Sequence, residues 1–359
     1  MNLTTKISHI LESDKVDKTN FVKTLLNNPS IYLVGKNNET INFSKLYNVI
    51  GIIDDTCQDK NWRQFSIFNS KNIDIESLIV NCSTSILPNL VNKNLRKLGF
   101  RNILHYSEVM NFNSNLQKPL FQLNTIDDYE KNSDKWNALY ELLSDDESKK
   151  TLERILLFRL TCNPKYTDQF SVCLDKQYME TFMNFHEEIM IDVGGFDGET
   201  TDIFCTKFPD YKKIFVFEPS DKNFQRMKER LVKYKNIHCE KIGLSNKCGT
   251  LYFDDILESA SKVSICGNVK INVETLDNYI KDNITFIKLD IEGWELNALI
   301  GSTNHIKSNH PKIAVAVYHN SEDFWKIPEF VLNVRDDYDV YLRHYTEGWS
   351  ETIMYFNPR

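Results

Sequence analysis

Three glycines and an aspartate near the middle of the chain have the types and spacing of a nucleotide-binding loop. Asp192 follows a short apolar run, and the glycines come after it at Gly194, Gly195 and Gly198. Glycine lets a backbone turn sharply and approach a ligand closely, and the first N–H groups of the helix predicted to follow attract anions. The Asp-x-Gly-x-x-x-Gly spacing differs from the Gly-x-Gly-x-x-Gly of dinucleotide binders. It therefore favours S-adenosylmethionine over NAD as the ligand.

A second acid follows the next predicted strand. The apolar run 214–217 ends in Glu218 and Pro219, and an acid about twenty residues beyond such a loop binds ribose hydroxyls. A later run, Ile242-Gly243, could border an adenine ring with its backbone. The predicted cofactor-binding residues are Asp192, Gly194, Gly195, Phe196, Asp197, Gly198, Thr200, Glu218, Pro219, Ile242 and Gly243.

Charged residues alternate with apolar ones in a second informative stretch. Lys288, Asp290 and Glu292 would share one face of a strand that stayed extended that far. His319 stands just beyond a later apolar strand, and open α/β sheets bind ligands at the carboxyl ends of their strands. We therefore expect these groups to converge with the glycine loop. Two structural alternatives remain: a lysine–carboxylate pair that only neutralises itself, and a histidine with a packing role.

The composition limits the class of protein. With 359 residues, of which 41% are hydrophobic, the chain has ample material for two domains. A formal net charge of -7 argues against a protein that holds nucleic acid mainly through phosphate contacts. Residues 1–18 are polar, and no apolar run approaches the length of a membrane span, so we expect a cytoplasmic protein.

Eight cysteines are scattered without Cys-x-x-Cys pairs, at Cys57, Cys82, Cys162, Cys173, Cys205, Cys239, Cys248 and Cys266. This spacing indicates neither a zinc knuckle nor a redox dithiol. Reduced thiols in a reducing compartment are the expected state.

The order of apolar runs predicts three regions. Residues 1–110 alternate short strands and helices and resemble a degenerate Rossmann half, whose first loop, after Gly35, is poor in glycine. Residues 111–184 have helical periodicity and form a predicted connector, with Ser144-Asp145-Asp146 as a helix start. Residues 185–359 alternate strands and helices again and end in an antiparallel hairpin that turns at Glu347-Gly348. The hairpin differs from the all-parallel dehydrogenase sheet.

The third region resembles the FkbM-type S-adenosylmethionine-dependent methyltransferases. The resemblance covers roughly residues 185–356 and is carried by an ordered set of motifs. They are Ile191-Asp192-Val193-Gly194-Gly195-Phe196-Asp197-Gly198, Phe217-Glu218-Pro219, Thr275-Leu276-Asp277, Ile287-Lys288-Leu289-Asp290-Ile291-Glu292-Gly293, Tyr318-His319 and Leu342-Arg343-His344-Tyr345. The upstream Asp146-Glu147-Ser148 and Lys176-Gln177-Tyr178 are similar to the connector of two-domain members.

The resemblance implies an α/β fold, with a class I methyltransferase Rossmann-like sheet, and O-methylation of a saccharide or related small molecule in surface-glycan or natural-product biosynthesis. Either Asp290 or His319 is the candidate base that would activate an acceptor hydroxyl. Lys288 would orient Asp290 or meet an anionic acceptor group, and Glu292 would bind acceptor hydroxyls. Asp290, Glu292 and His319 suit a divalent metal, but their spacing does not require one, and no metal ligand is assigned.

Two other functions compete with this interpretation. One is a NAD-dependent sugar oxidoreductase or epimerase built on residues 1–110, which the glycine-poor loop and a missing Tyr-x-x-x-Lys pair disfavour. The other is a binding protein with an inactive methyltransferase fold, although Asp192, Gly194, Gly198 and Glu218 are all present. The predicted partner is a small-molecule or saccharide acceptor rather than nucleic acid, and the sequence leaves homo-oligomer formation open.

Overall fold

The computed structural model describes residues 2–13, 19–253 and 269–359 of the chain. It divides into two units of interleaved segments. Unit 1 comprises residues 1–137, 150–172 and 345–350, and unit 2 comprises residues 138–149, 173–344 and 351–359. The proposed domain boundaries at residues 110 and 184 stay predictions. Cys266 lies outside the described residues, within which no disulfide joins the cysteines.

Unit 1 is built on a sheet of short strands in the order β3-β4-β2-β1-β5-β6. All neighbouring strands are parallel except β3 and β4. The elements that begin in this unit are α1 (Leu3–Ser13), α2 (Thr19–Leu26), β1 (Ile31–Val34), α3 (Asn38–Ser44), β2 (Gly51–Ile53), β3 (Asn61–Trp62), β4 (Phe65–Phe68), β5 (Leu78–Asn81), α4 (Pro88–Lys97), β6 (Ile103–His105), α5 (Tyr106–Phe112) and α6 (Leu120–Leu142). The short strands and helices predicted in residues 1–110 are present, and each strand of this sheet is two to four residues long.

Two helices pass from one unit to the other. Helix α6 continues into unit 2 after residue 137, and α7 (Asp146–Thr161) begins in unit 2 and ends in unit 1. The predicted helix start is found at α7, where Oδ1 of Asp145 accepts a hydrogen bond of 2.7 Å from the Ser148 backbone N–H. No helix in the described part of the chain is both long and apolar enough to cross a membrane.

Unit 2 contains a seven-stranded sheet within its described residues, in the order β15-β16-β14-β13-β7-β8-β9. Its strands and helices are β7 (Ile189–Val193), α8 (Glu199–Lys207), β8 (Lys213–Phe217), α9 (Asp221–Leu231), β9 (Ile237–Glu240), β10 (Gly243–Leu244), β11 (Gly249–Phe253), β12 (Val269–Glu274), α10 (Leu276–Tyr279), β13 (Phe286–Leu289), α11 (Glu295–Ile300), α12 (Thr303–Asn309), β14 (Lys312–Ala316), α13 (Asp323–Val334), β15 (Tyr338–His344) and β16 (Thr352–Pro358).

The pairing of this large sheet explains where its functional side chains lie. Strands β14, β13, β7, β8 and β9 are parallel neighbours, so their carboxyl ends meet at one edge. Their apolar residues are buried on both faces, as in Ile191, Val216 and Ile287, which is typical of parallel strands between helix layers. Strands β16 and β15 close the sheet as the predicted antiparallel hairpin. The expected α/β fold, a Rossmann-like parallel sheet with an antiparallel hairpin, is confirmed.

A smaller sheet stands beside the functional edge. Strand β12 pairs with β10 in parallel and with β11 in antiparallel. Strands β11 and β12 are the longer members of this sheet, with five and six residues. Three of their apolar residues face the cavity described below.

Candidate active site

A buried ion pair anchors the loop that follows β7. Oδ1 of Asp192 lies 2.9 Å from Nζ of Lys288, and Oδ2 accepts a hydrogen bond of 2.6 Å from the Thr201 hydroxyl. Nζ of Lys288 also donates to the carbonyl oxygen of Gly194 at 2.7 Å. The expectation that Lys288 orients Asp290 is therefore corrected, because the ammonium group bonds to Asp192 and the loop instead. Such a pair ties β13 to the loop after β7 and satisfies charges that would be costly to bury alone.

The loop itself requires glycine for two different reasons. Gly194 has a φ of +82°, and a Cβ there would lie 1.9 Å from the carbonyl oxygen of Asp290. Gly198 has a φ of +84° and is the N-cap residue of α8, in the left-handed conformation that glycine adopts most easily. The space that a side chain of Gly194 would occupy is therefore filled by the backbone at Asp290. From the sequence alone, a ligand was the expected reason for this glycine.

Glu218 follows β8 and is held in place by the backbone. One carboxylate oxygen accepts from the Phe196 N–H at 2.9 Å and the other from the Ser220 N–H at 2.8 Å. Burial raises the pKa of Glu218 to about 7, because the charged form is poorly solvated. A carboxylate has about four lone-pair positions, so each oxygen can still accept another hydrogen bond.

A cavity of about 460 Å³ lies along this edge of unit 2. This volume lies in the range of small-molecule and cofactor sites. The predicted residues in its wall are Gly194, Gly195, Phe196, Asp197, Thr200, Glu218, Pro219, Gly243, Lys288, Asp290 and Glu292. Asp192, Gly198, Ile242 and His319 lie outside the described part of the wall. The carboxylate of Asp197 forms an ion pair of 2.5 Å with Arg230.

One end of the cavity is apolar. Its wall there comes from β8, β10, β11 and β12 and comprises Phe217, Leu244, Leu251, Ile271 and Val273. The sequence analysis placed only the backbone near Gly243 in this region. The side chains of Leu251, Ile271 and Val273 were not predicted, because their approach to the cavity depends on the strand pairing of the small sheet.

The other end of the cavity is rich in hydrogen-bonding groups. The Tyr178 hydroxyl donates to Oδ2 of Asp290 at 2.6 Å, and the Gln177 amide donates to Glu351 at 2.6 Å. The Tyr318 hydroxyl donates to the other oxygen of Glu351 at 3.3 Å. Burial, with the Asp290 charge, holds the pKa of Tyr178 well above its usual value, and burial raises the pKa of Glu351 to about 7.

Sequence reasoning did not assign Gln177, Tyr178, Tyr318 or Glu351 to the site. Gln177 and Tyr178 were noted only as part of a connector, and Tyr318 only as part of a motif of the resemblance. No local pattern joins these residues, because 173 positions separate Tyr178 from Glu351. The only signal that could have found them is their position beside motifs of the resemblance.

His319 lies behind this end of the cavity, with three carboxylates around its ring. Nε2 lies 3.6 Å from Asp290 and 3.3 Å from Glu292, and Nδ1 lies 3.0 Å from Glu295. Burial alone would lower the pKa of His319, but the neighbouring carboxylates, Glu295 foremost, hold it well above 6.5. The carboxylates thus favour a positive charge at this position.

Glu292 reaches this cluster by a different path from the one expected. Strand β13 ends at Leu289, and Glu292 has a φ of +56°, so the chain leaves the extended conformation before it. The prediction that Lys288, Asp290 and Glu292 share a strand face is therefore wrong for Glu292. In this turn the backbone N–H of Ile291 donates a hydrogen bond of 2.8 Å to Oε1 of Glu295. The side chain of Glu295 is fully buried.

Comparison with known proteins places this geometry in a family. Residues 192–346 match the family model described as the methyltransferase FkbM domain. No curated protein matches the chain. A crystal structure of methyltransferase FkbM from Methylobacillus flagellatus is similar to it with 21% identity and a TM-score of 0.73, covering 99% of each chain.

Other solved structures resemble about half of the chain. An rRNA methylase from Streptococcus thermophilus has 13% identity and a TM-score of 0.33, over 49% of this chain and 90% of its own. The putative methyltransferase SMU.1697c from Streptococcus mutans, in complex with SAH, has 14% identity and a TM-score of 0.32, over 48% and 89%. On the family match, residues 192–346 are an FkbM methyltransferase domain, and the fold of the full chain is similar to that of the Methylobacillus flagellatus protein.

Proposed function

We propose that the protein is an S-adenosylmethionine-dependent O-methyltransferase that acts on a hydroxyl of a saccharide or related small molecule. The observation that carries this proposal is the single cavity wall shared by the glycine loop and Glu218, the apolar strands, and the acidic cluster at Asp290. The alternative of an inactive binding protein is weaker, since the proposed cofactor-binding and catalytic residues line one cavity. We place the reaction in the cytoplasm.

The cofactor fits the first two parts of this wall. Glu218 would accept hydrogen bonds from the two ribose hydroxyls, since its oxygens keep lone pairs beyond their backbone partners. The apolar residues Leu244, Leu251 and Ile271 would enclose the adenine ring. When bound there, S-adenosylmethionine would supply an electrophilic methyl group, with S-adenosylhomocysteine as the leaving group.

The polar end of the cavity would bind and activate the acceptor. Asp290 lines the wall and is oriented by the Tyr178 hydroxyl, which leaves Oδ1 to take the proton of an acceptor hydroxyl. Glu292 and Glu351 would accept hydrogen bonds from further hydroxyls. Among the described residues of the wall, Lys288 is the only basic one, and it is paired with Asp192. A neutral sugar therefore fits this end better than an anionic one.

The first test is calorimetric titration of the full chain with S-adenosylhomocysteine. We expect micromolar binding in the wild type and a loss of about tenfold or more in Glu218→Ala, because ribose hydrogen bonds to a charged acceptor are removed. Glu229→Ala, an exposed acid on α9 outside the wall, is the matched control and should bind as the wild type does. Equal affinity of the Glu218 variant would remove this cofactor assignment.

The acceptor class is tested separately with a cofactor carrying a deuterated methyl group. Neutral sugars, nucleotide sugars and sugar acids are incubated with the protein, and label in a methyl ether is measured by mass spectrometry. Transfer to a neutral sugar supports the proposal. Transfer to anionic acceptors alone would contradict the charge argument.

A further inference from the structure

The acidic cluster around His319 carries more negative groups than its protein partners balance. Asp290, Glu292 and Glu295 surround the ring, and Asp323 and Glu351 lie close enough to interact electrostatically with the cluster. A protonated imidazole would balance one of the five carboxylates. Lys288 is committed to Asp192. The remaining charges need either protons or a further cation.

Several buried atoms of the cluster lack the partners that buried polar atoms normally have. The side chains of His319 and Glu295 are 3% and 0% exposed. Among the described residues, neither ring nitrogen of His319 nor Oε2 of Glu295 has a partner in hydrogen-bonding geometry. Buried polar atoms without a partner cost free energy. Because Nδ1 lies 3.0 Å from Glu295, Nε2 is the ring nitrogen that indicates a group outside the chain.

We propose that Asp290, Glu292 and Nε2 of His319 bind a divalent cation such as Mn²⁺, and that Glu295 holds the ring through Nδ1. Carboxylate and imidazole ligands suit such an ion, and a carboxylate on the second ring nitrogen is the usual support of a metal-binding histidine.

The distances from the imidazole ring agree with this arrangement. Ligand atoms on one ion lie about 3 Å apart when adjacent and about 4.2 Å apart when opposite, for bonds near 2.1 Å. Nε2 of His319 lies 3.3 Å from Glu292 and 3.6 Å from Asp290. Asp290 and His319 also belong, with the supporting Glu295, to a group in which each residue offers one ligand atom within 4.8 Å of the others.

The ion would lie where the acceptor binds, because Asp290 and Glu292 also line the cavity. An acceptor hydroxyl that became a further ligand would have a lowered pKa and would lose its proton to a nearby carboxylate more easily. This catalytic role rests on the proposed methyl transfer. The binding of the ion does not.

The experiment is titration of the full chain with MnCl₂ after treatment with a chelator and dialysis. Bound Mn²⁺ is measured by calorimetry, and free Mn²⁺ by electron paramagnetic resonance. We expect one ion per chain in the wild type and binding weaker by about tenfold to 100-fold in Asp290→Asn and Glu292→Gln, because each loses a charged ligand. Glu199→Gln, an exposed acid in the same wall, is the control and should bind as the wild type does.

S-adenosylhomocysteine titration of the same metal-free samples separates the two proposals and shows that each variant is folded. If the wild type binds S-adenosylhomocysteine but takes up no Mn²⁺, or if both ligand variants bind Mn²⁺ unchanged, the cation site is overturned and protons balance the cluster. If Mn²⁺ binds but S-adenosylhomocysteine does not, the cation site stands and the proposed function falls.

Discussion

Glu218 is the residue whose ionisation would control cofactor binding in the proposed site. Burial raises the pKa of Glu218 from 4.5 to about 7. In the proposed complex, the carboxylate must be ionised to accept hydrogen bonds from both ribose hydroxyls. Binding below pH 7 must therefore release a proton first. The free protein shows the opposite dependence at this group, since the stability that the bound proton contributes is complete below pH 4.5 and is lost as the pH rises through about 7.

We predict that S-adenosylhomocysteine affinity falls about tenfold for each pH unit below 7 and is nearly constant above about pH 8. Calorimetry over this range measures the effect. Glu218→Gln carries no titrating proton, so its affinity should be weak and independent of pH. Asp323 and Glu351 also have pKa values of about 7. If Glu218→Gln kept the pH dependence of the wild type, that dependence would belong to Asp323 or Glu351 and not to Glu218.

At the scale of elements, the chain segments that follow β7 and β13 touch at Gly194. The two strands are in parallel register, and the loop after β7 passes directly against the backbone after β13. Asp290 is the first residue of that backbone, so its carboxylate is positioned by a contact with glycine. A change at Gly194 therefore reaches the reactive end of the cavity without altering any charged group.

We predict that Gly194→Ala destabilises the protein by well over about 1 kcal/mol, since the left-handed φ alone costs roughly that much and the clash with Asp290 adds to it. Gly198→Ala shares the loop and nearly the same φ, but its nearest contact is a flexible Leu231 side chain at 3.2 Å, so its loss should be smaller. Urea unfolding measures both. Equal losses would show that the contact between Gly194 and the Asp290 backbone tolerates a methyl group.

Some parts of the site could be predicted from the local sequence pattern, and others could not. The loop at 192–198 and Glu218 were found because each follows an apolar strand in consecutive sequence. Tyr178 and Glu351 were missed because long-range packing brings them to Asp290. Glu295 looks like an ordinary acid in the first turn of a helix, and its burial under His319 depends on a left-handed turn at Glu292 that the sequence does not signal.

At the scale of the whole molecule, unit 2 draws on residues upstream of its predicted start. Arg343 in β15 donates to Asp145 at 2.7 Å and to the Ser148 hydroxyl at 2.8 Å, and Phe182 packs on Tyr341 with ring centroids 4.3 Å apart. These partners lie in residues 138–149 and 173–184, before the boundary predicted at 185.

We predict that a fragment of residues 185–359 does not reach a native fold, because it leaves the buried Arg343 guanidinium without its partners. Near-ultraviolet circular dichroism and limited proteolysis compare it with the full chain and with a fragment of residues 138–359, which restores those partners. A native spectrum and S-adenosylhomocysteine binding in the shorter fragment would contradict this prediction.

The residues that line the two ends of the cavity are distributed differently along the chain. The glycine loop and Glu218 lie within residues 192–218, whereas the polar end combines side chains from near residues 177, 290, 318 and 351. An insertion or exchange near residues 174–178 would therefore alter the shape offered to an acceptor while the cofactor end stays intact. Related enzymes could diverge in substrate through this short segment, and chimaeras that exchange it offer a direct route to new specificities.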